Sequence, residues 1–528
     1  MALGRRCGAI AVFTCFCVLA HAAALFAAEG RHTALELSLR TRGPLPDGAG
    51  GTRAVLQHAS WNPAQTAIVI CDMWNEHWCR GATRRVAEMA PRMNEVVSAA
   101  RKQGVLIIHC PSSCMEFYKD TPQRTLAQSA PHAPTKRPLE NWCHLDPERE
   151  ALLPIDDSDG GCDCQPQCKQ GSPWYRQIET LTIAEGDAIT DSDEAYHLMQ
   201  SRGIENVIVL GVHTNMCVLG RPFSIRQLVY QGMNVALMRD MTDTMYNPRC
   251  APFVPHAAGT DLVVEHIEQY WCPTITSDQL IGGERFAFAE DRRKHLVIVA
   301  AEDEYDTART LPQFADRYLR DEFRITTVTG EDGDGGTRLP GIDALASADV
   351  ALLSIRRKAI PTEQLDVIRN YIEAGRPVVA IRTTSHAFHL RGDGPPAGYA
   401  LWPEFDQQVL GARYEGHYGR DPETFVWTKD GAEDHPIVSG VRRDRFTVAS
   451  WLYKNRDLAE STQLLLVGKV GEQGEVEPVA WTNRTEWDGR VFYTSLGHPG
   501  DFKLPAFEQL MINAIHWAAG VPAGNTGS

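Results

Sequence analysis

The amino-acid sequence predicts an α/β protein of two units, each a mostly parallel sheet covered on both faces. Three observations carry this. Apolar β-forming runs such as "TAIVICDM" and "NVIVLGV" are too continuous for strands with one face in water, and amphipathic helical stretches separate them. The alternation breaks at a charged stretch, "FAFAEDRRKH", and then begins afresh. The length, 528 residues, is more than one ordinary core serves.

At the start, "MALGRRCGAIAVFTCFCVLAHAAALFAAEG" sets Arg5 and Arg6 before an apolar run and then small residues. This is the pattern of a secretory signal over 1–28, cut between Ala22 and Ala28. An uncleaved membrane anchor is the competing reading, because the run approaches spanning length. Export to a periplasm or the exterior is expected, with no membrane contact after cleavage. A Gly/Pro-rich lead, "RGPLPDGAGGTR", precedes the first unit, which is expected over 53–285. In it, "TAIVICDM" is a buried strand, "RRVAEMAPRMNEVVSAARKQG" a helix stopped by Gly104, and "VLIIHC" the next strand. A Cys- and Pro-rich insertion follows at about 111–180. Helix "DEAYHLMQSRG", strand "NVIVLGV", helix "FSIRQLVYQG", strand "NVALMRD" and helix "GTDLVVEHIEQYW" complete the unit.

A linker is expected at 286–294 and the second unit at 295–521. Its elements are strand "HLVIVAAED", helix "TARTLPQFADRYLRDEF", strands "RITTVTG" and "DVALLSI", helix "TEQLDVIRNYIEAG" and strand "PVVAIRT". A less regular region leads to strand "RVFYTSLG" and helix "AFEQLMINAIHWAAG".

The formal net charge is −15 and no basic cluster interrupts the chain, which argues against nucleic acid or an anionic membrane as partner. A small-molecule substrate is expected, with no cofactor and no metal; self-association stays open. Cys7, Cys15 and Cys17 leave with the signal, and the remaining eleven cysteines lie between Cys71 and Cys272. Eleven is odd, so at least one thiol has no partner within the chain, and Cys217 is the candidate. Cys143 and the cluster "GCDCQPQCKQG", with Cys162, Cys164 and Cys168, read as disulfides or inert thiols. Zinc is the lesser reading there, because C-x-C-x3-C lacks a second ligand pair.

Two strand ends carry chemistry. "VICDMWNEH" sets Asp72 at the end of one strand, and "GVHTNMC" sets Cys217 just past another. In a parallel sheet both ends share one edge, and a helix amino terminus behind the thiol lowers its pKa. An aspartate beside a thiol can act as its base. Trp74 and His77 are candidate pocket walls, His109 and His213 stand at strand ends, and Arg221 and Arg226 can attract an anion or pair locally. Asp240 and Asp243 can orient the site or shape a turn.

The pair "DMWN" and "GVHTNMCV" resembles the D-x-x-N and G-v-x-T-[DN]-x-C-V motifs of isochorismatase-like cysteine hydrolases, over roughly 60–280. The resemblance implies a Rossmann-like three-layer fold and hydrolysis of an amide-type C–N bond through a thioester; isochorismatases themselves cleave a vinyl ether without the thiol. It assigns Asp72 as base and Cys217 as nucleophile, with oxyanion donors among the backbone N–H groups of His213 to Cys217. Trp74, His77, His109, His213, Asn215 and Arg221 are the candidate substrate contacts, and the resemblance implies a non-proline cis peptide near Val212–His213. The family's catalytic lysine has no counterpart in "LTIAEGDAITDSDEA", where Glu185 takes its place. A cation must then come from elsewhere, with Lys119, Lys169, His109 and His213 as candidates. The metal-binding D-x-H of nicotinamidases is also missing, because "LIIHCPSSC" offers only His109, so nicotinamide is not the expected substrate.

In the second unit, "EDEYDT", "SHAF", "EGHYG", "DHPIVSG" and "SLGHPGDF" resemble the trehalose-utilisation (ThuA-like) family, whose fold is that of class I glutamine amidotransferases. The turn "VVAIRTTSHAF" has no cysteine, which excludes glutamine hydrolysis by thiol. The resemblance implies binding or transformation of a sugar or oxidised sugar, with Glu304, Tyr305, His386, His417 and His498 as pocket candidates. Two functions remain open. One is an exported cysteine hydrolase with a carbohydrate-related second unit; the other is a catalytically degenerate carbohydrate-binding or scaffolding protein. The cation beside Asp72 and Cys217 discriminates between them.

Overall fold

The computed structural model describes residues 33–44, 52–333, 335–392 and 394–522; the expected signal at 1–28 lies outside them. Among the described residues no helix is long and apolar enough to cross a membrane.

The first sheet has eight strands: β1 (Leu35–Pro44), β2 (Thr52–Trp61), β3 (Thr66–Cys71), β4 (Leu106–Cys110), β5 (Ala188–Ile189), β6 (Asn206–Val212), β7 (Asn234–Asp243) and β8 (Thr274–Ile275). Their spatial order is β2-β1-β8-β7-β6-β3-β4-β5. Strands β3 to β8 are mutually parallel, and β1 and β2 extend the sheet as an antiparallel hairpin. Every residue of β3 and β6 is buried, as their unbroken apolar runs require. Helices cover both faces, chiefly α1 (Arg80–Lys102), α2 (Glu194–Ser201), α3 (Ile225–Tyr230) and α4 (His256–Tyr270).

The hairpin carries the first unit upstream of the expected start at 53. Its signal is "LELSLR", in which buried Leu35 and Leu37 alternate with exposed residues in the two-residue period of a half-covered strand. Arg40 ties β1 down, its Nε donating to Glu268 of α4 at 2.7 Å.

The second sheet has nine strands. Five are parallel, in the order β10 (Phe323–Thr329), β9 (Lys294–Ala301), β11 (Val350–Ile355), β12 (Val378–Ile381) and β17 (Arg490–Thr494). Four more continue it antiparallel: β16 (Glu477–Arg484), β15 (Gln463–Val470), β13 (Thr424–Thr428) and β14 (Phe446–Val448). These four lie in the stretch that reads as irregular in sequence. Strand β13 is half-buried on alternate residues, and β15 and β16 pair with register shifts, so no clean period marks them.

The expected linker at 286–294 is packed. Phe286 and Phe288 rest on the first core, and Arg293 bridges Asp291 at 2.8 Å and Asp261 of α4 at 2.9 Å. Arg320 of the second unit adds a 3.3 Å ion pair to Glu265.

Under the site, Gly211 of β6 has φ +104°, and a Cβ there would lie 2.0 Å from the Cys71 carbonyl oxygen. That approach is open only to glycine. Gly211→Ala is expected to cost about 3 kcal/mol, from a backbone clash and an unfavourable φ together. Urea unfolding followed by first-unit tryptophan fluorescence would read it, and an unchanged midpoint would contradict this account.

Candidate active site

Asp72 follows β3 directly, with φ 48°, in the left-handed region that few non-glycine residues adopt. Its N–H is held by the Cys110 carbonyl at 3.1 Å, and its Oδ1 accepts the Ser112 N–H at 2.7 Å. The other oxygen, Oδ2, is buried without a formed hydrogen bond and stands 3.6 Å from Arg221 Nε. A buried carboxylate oxygen with an open lone pair is rare outside functional sites. The Cys217 thiol faces both of these side chains.

Strand β6 lies beside β3 in register, Cys71 opposite Gly211, so the turn after β6 arrives next to Asp72. The Val212–His213 peptide is cis, where the motif places it. Within the turn the Thr214 N–H goes to Asp243 O, and those of Met216 and Val218 go to His213 O. Among the described residues the N–H groups of His213, Asn215 and Cys217 find no acceptor. The helix behind Cys217 is only one turn, Cys217–Gly220. The expected dipole effect is therefore outweighed. Burial first, and the Asp72 charge second, push the Cys217 thiol well above its ordinary value, while Arg221 draws it back. Burial likewise raises the Asp72 carboxyl, against the pull of Arg221, Cys217 and Ser112.

Arg221 is the cation that stands beside Asp72 and Cys217. It stands four residues after Cys217, about one helical turn on, and its guanidinium lies 5.4 Å from the Trp142 ring centre. That spacing was a legible signal. The cations expected from sequence are elsewhere: Lys119 pairs with Glu116 and Lys169 is exposed. Glu185 is exposed in a turn and touches neither Asp72 nor Cys217 among the described contacts. Its neighbour Asp187 is the buried acid, binding Arg101 at 2.8 Å and His109 Nε2 at 3.1 Å. The other His109 nitrogen meets Gln177 at 2.9 Å, so His109 braces the sheet rather than the pocket. Asn215 also turns away, donating to Asp157 at 2.7 Å and Met245 O while accepting the Met245 N–H.

Arg226 pairs with Glu150 at 2.8 Å, and Asp240 caps Ser277 and Phe286. Asp243 binds Arg85 at 2.8 Å and His256 at 2.9 Å. These three are structural. No disulfide forms among the eleven described cysteines, and Cys143 donates to Gln227 apart from the 162–168 cluster.

An aromatic cluster lies beside this edge. Trp74 stacks on Trp174 at 4.3 Å and anchors its indole N–H on Ser112 O at 3.0 Å. His77 stacks on Trp174 at 5.6 Å and meets His213 edge-on at 4.9 Å. Trp174, in the irregular insertion, has no periodicity to reveal it in sequence. Burial lowers His77 to about 4 and holds His213 well below its ordinary value, so both rings are neutral at pH 7.

In the second unit Arg382 opens the turn after β12, with φ 45°. Its buried guanidinium donates to Tyr305 Oη at 3.0 Å and Ser495 O at 2.8 Å, and lies over the Tyr305 and Tyr453 rings. Tyr305 faces His498 at 5.9 Å, and Tyr305 Oη reaches Glu304 at 3.2 Å. His386 stacks on Tyr414 at 4.4 Å, and Tyr414 meets Tyr453 at 4.8 Å. The exposed His417 packs on Trp451 at 5.3 Å and sits 6.3 Å from Tyr453. The five expected residues thus gather around Arg382, Tyr414 and Tyr453, which sequence reasoning missed. A cavity of about 300 Å³ beside His386 is lined by Arg357, Arg391, Trp402, Asp406, Tyr414 and Glu415. A larger one, about 830 Å³ between Phe425, Arg445 and Leu504, holds none of these residues.

Residues 295–518 match the family model "ThuA: Trehalose utilisation". The ThuA-like unit is accordingly the part of the chain with a family match. A search of curated proteins finds no match. Among solved structures, a ThuA-like protein from Bacteroides uniformis is 15% identical, with 45% of this chain and 95% of that one covered and a TM-score of 0.33. A cysteine hydrolase from Pseudomonas syringae pv. phaseolicola is 18% identical, covering 42% and 92%, at a TM-score of 0.26. N-carbamoylsarcosine amidase from Thermoplasma acidophilum is 11% identical, covering 40% and 97%, at 0.23.

Two measurements check the electrostatics. Burial leads the downward shifts of His77, His213, His295 and His386, and neighbouring arginines add to each; His77 falls to about 4, His295 to about 3 and His386 to about 2. In the unfolded chain each takes up a proton near pH 6.5, so below that pH the unfolded state binds more protons and stability falls. The expected slope is about 1.4 kcal/mol per pH unit per histidine at most, between pH 6.5 and 4, and thermal melts across that range would show it. Arg221→Ala is expected to slow iodoacetamide labelling of Cys217 at pH 8 by about tenfold, and Arg221→Lys by less, since only the former removes the cation. Equal rates in all three proteins would separate Arg221 from the thiol.

Proposed function

We propose that the first unit is an isochorismatase-like cysteine hydrolase that cleaves an amide-type C–N bond through a thioester. One observation carries this: a carboxylate with a free oxygen, a thiol and a guanidinium converge at one sheet edge, on the residues of the "DMWN" and "GVHTNMCV" motifs. Arg221 reaches both other groups, which favours a working site over a degenerate one.

In this reading Cys217 gives its proton to Asp72 Oδ2 as the sulfur attacks the substrate carbonyl carbon. The resting thiol is neutral, so proton transfer accompanies attack. The carbonyl oxygen gathers negative charge, for which the unspent N–H groups of His213, Asn215 and Cys217 are the available donors. On collapse the C–N bond breaks, and the amine leaves with the proton that Asp72 held. Water then loses a proton to Asp72, attacks the thioester carbonyl and releases the acid, and the proton returns to sulfur. Arg221 steadies the paired acid and sulfur by charge alone, because a guanidinium does not give up its proton. The neutral rings of Trp74, Trp174, His77 and His213 suit a flat, uncharged acyl group.

For the ThuA-like unit the proposal is recognition of a sugar or an oxidised sugar. The roughly 300 Å³ cavity is at the lower end for small-ligand sites, and the arginines Arg357 and Arg391 suit a carboxylate. Export through the N-terminal segment belongs to the same reading.

Steady-state hydrolysis of a panel of amides and carbamoyl compounds is the test. Cys217→Ala and Asp72→Asn are expected to lower kcat/KM by about 10³-fold or more without loss of fold. Full activity in Cys217→Ala would remove the thioester and leave a thiol-independent reaction.

A further inference from the structure

The cysteines outside the Asp72 site are not scattered. Cys79, which starts α1, meets the insertion: its Sγ lies 4.0 Å from Cys164 Sγ. Donor atoms of Cys79, Cys162, Asp163 and Cys164 all lie within 4.8 Å of one another. Cys168 stands outside that group but next to it, its N–H 3.5 Å from Cys162 Sγ and its side chain interacting with both Cys162 and Cys164. Sequence spacing left C-x-C-x3-C one ligand short. The fold brings in the fourth sulfur from more than 80 residues upstream.

We propose that Cys79, Cys162, Cys164 and Cys168 form a tetrathiolate zinc site. Four sulfurs at about 2.3 Å from a tetrahedral zinc stand about 3.8 Å apart, close to the Cys79–Cys164 spacing and far from the roughly 2.05 Å of a disulfide. Two backbone N–H groups already point at sulfur: Gly81 to Cys164 at 3.3 Å and Cys168 to Cys162 at 3.5 Å. Such donors stabilise thiolate ligands from outside the metal's own shell. The site's net negative charge sits at the amino end of a 23-residue helix, beside Arg80. Asp163 is the rival fourth ligand: its Oδ1 lies 3.6 Å from Cys79 Sγ, while its Oδ2 pairs with Arg85 Nη1 at 2.7 Å, and that ion pair assigns it as an outer partner of the sulfurs. Soft sulfur donors in this arrangement select zinc over magnesium or calcium. On binding, each thiol loses one proton to solvent as its Zn–S bond forms, and no electrons move.

The metal would brace the catalytic edge without touching it. Gly161, next to Cys162, packs so closely on Met245 that a Cβ would lie 2.3 Å from its carbonyl, and Asp157 accepts from Asn215 in the nucleophile turn. His77, two residues before Cys79, meets the His213 ring and accepts the Cys79 N–H.

The test uses the full chain, loaded with Zn²⁺ and desalted. Elemental analysis is expected to find about one zinc per chain. The metal should be lost in Cys79→Ser, Cys164→Ser and Cys168→Ser and kept in Asp163→Asn and Cys250→Ser. Cobalt should give the intense visible bands of a tetrahedral thiolate complex. Because a variant can fail to fold, the wild type supplies a second measurement. Zn²⁺ should slow alkylation of these four cysteines, and of no others, by about tenfold or more, and a chelator should reverse it. A wild type that retains no zinc, disulfides among the four in an unreduced peptide map, or full zinc in Cys168→Ser would each overturn the tetrathiolate site.

Discussion

The adjacency of β3 and β6 is the constraint on which the candidate site depends. Asp72 and Cys217 are far apart in the chain, and only in-register parallel pairing, Cys71 against Gly211, delivers both to one edge. Side chains cannot intervene at that step, because Gly211 lets the two backbones close to a distance that any Cβ would forbid. The residues that line up above this contact then inherit its geometry. Asp72 takes a left-handed backbone, its Oδ1 is held by Ser112, and Oδ2 is turned toward the sulfur and the guanidinium.

Burial decides how the three groups share charge. In water a thiol beside a carboxylate and an arginine would change little. Here the sulfur and the acid are both removed from solvent, so each charged form is disfavoured and a single nearby cation carries unusual weight. An arginine in that place holds charge as a lysine would but keeps its proton at any working pH. Protons can then move only between the acid and the sulfur, with the guanidinium as a fixed charge. The surrounding histidines, held neutral by burial, add aromatic surface without adding charge.

The second unit is organised in a different way around an equally buried ion. Arg382 sits in the sharp turn after β12 and collects Tyr305, Tyr453 and two carbonyl oxygens. The aromatic chain from His498 through Tyr305 and Tyr453 to Tyr414 and His386 is arranged by that cation. The turn thus holds a fixed positive charge and no thiol. The family match covers this unit.

Much of this was written in local sequence. Unbroken apolar runs marked β3, β6, β9 and β11, Gly104 marked the end of α1, and the two motifs marked Asp72, Cys217 and the cis peptide, because each depends on neighbours within a few residues. Other features depended on partners that no local pattern can announce. The hairpin β1–β2 and the antiparallel half of the second sheet exist because an edge was open to receive them. Glu185 held the lysine's place in sequence but not in space, whereas Arg221, one turn past the thiol, reached the acid because the chain after Cys217 folds back across it. Trp174, Arg382 and Cys79 likewise gained their roles only when distant segments packed together. Sequence settles which residues are able to ionise, stack or bind sulfur-seeking metal; tertiary structure settles which of them meet, since burial and distance, not identity, set the strength of every charge and contact among them.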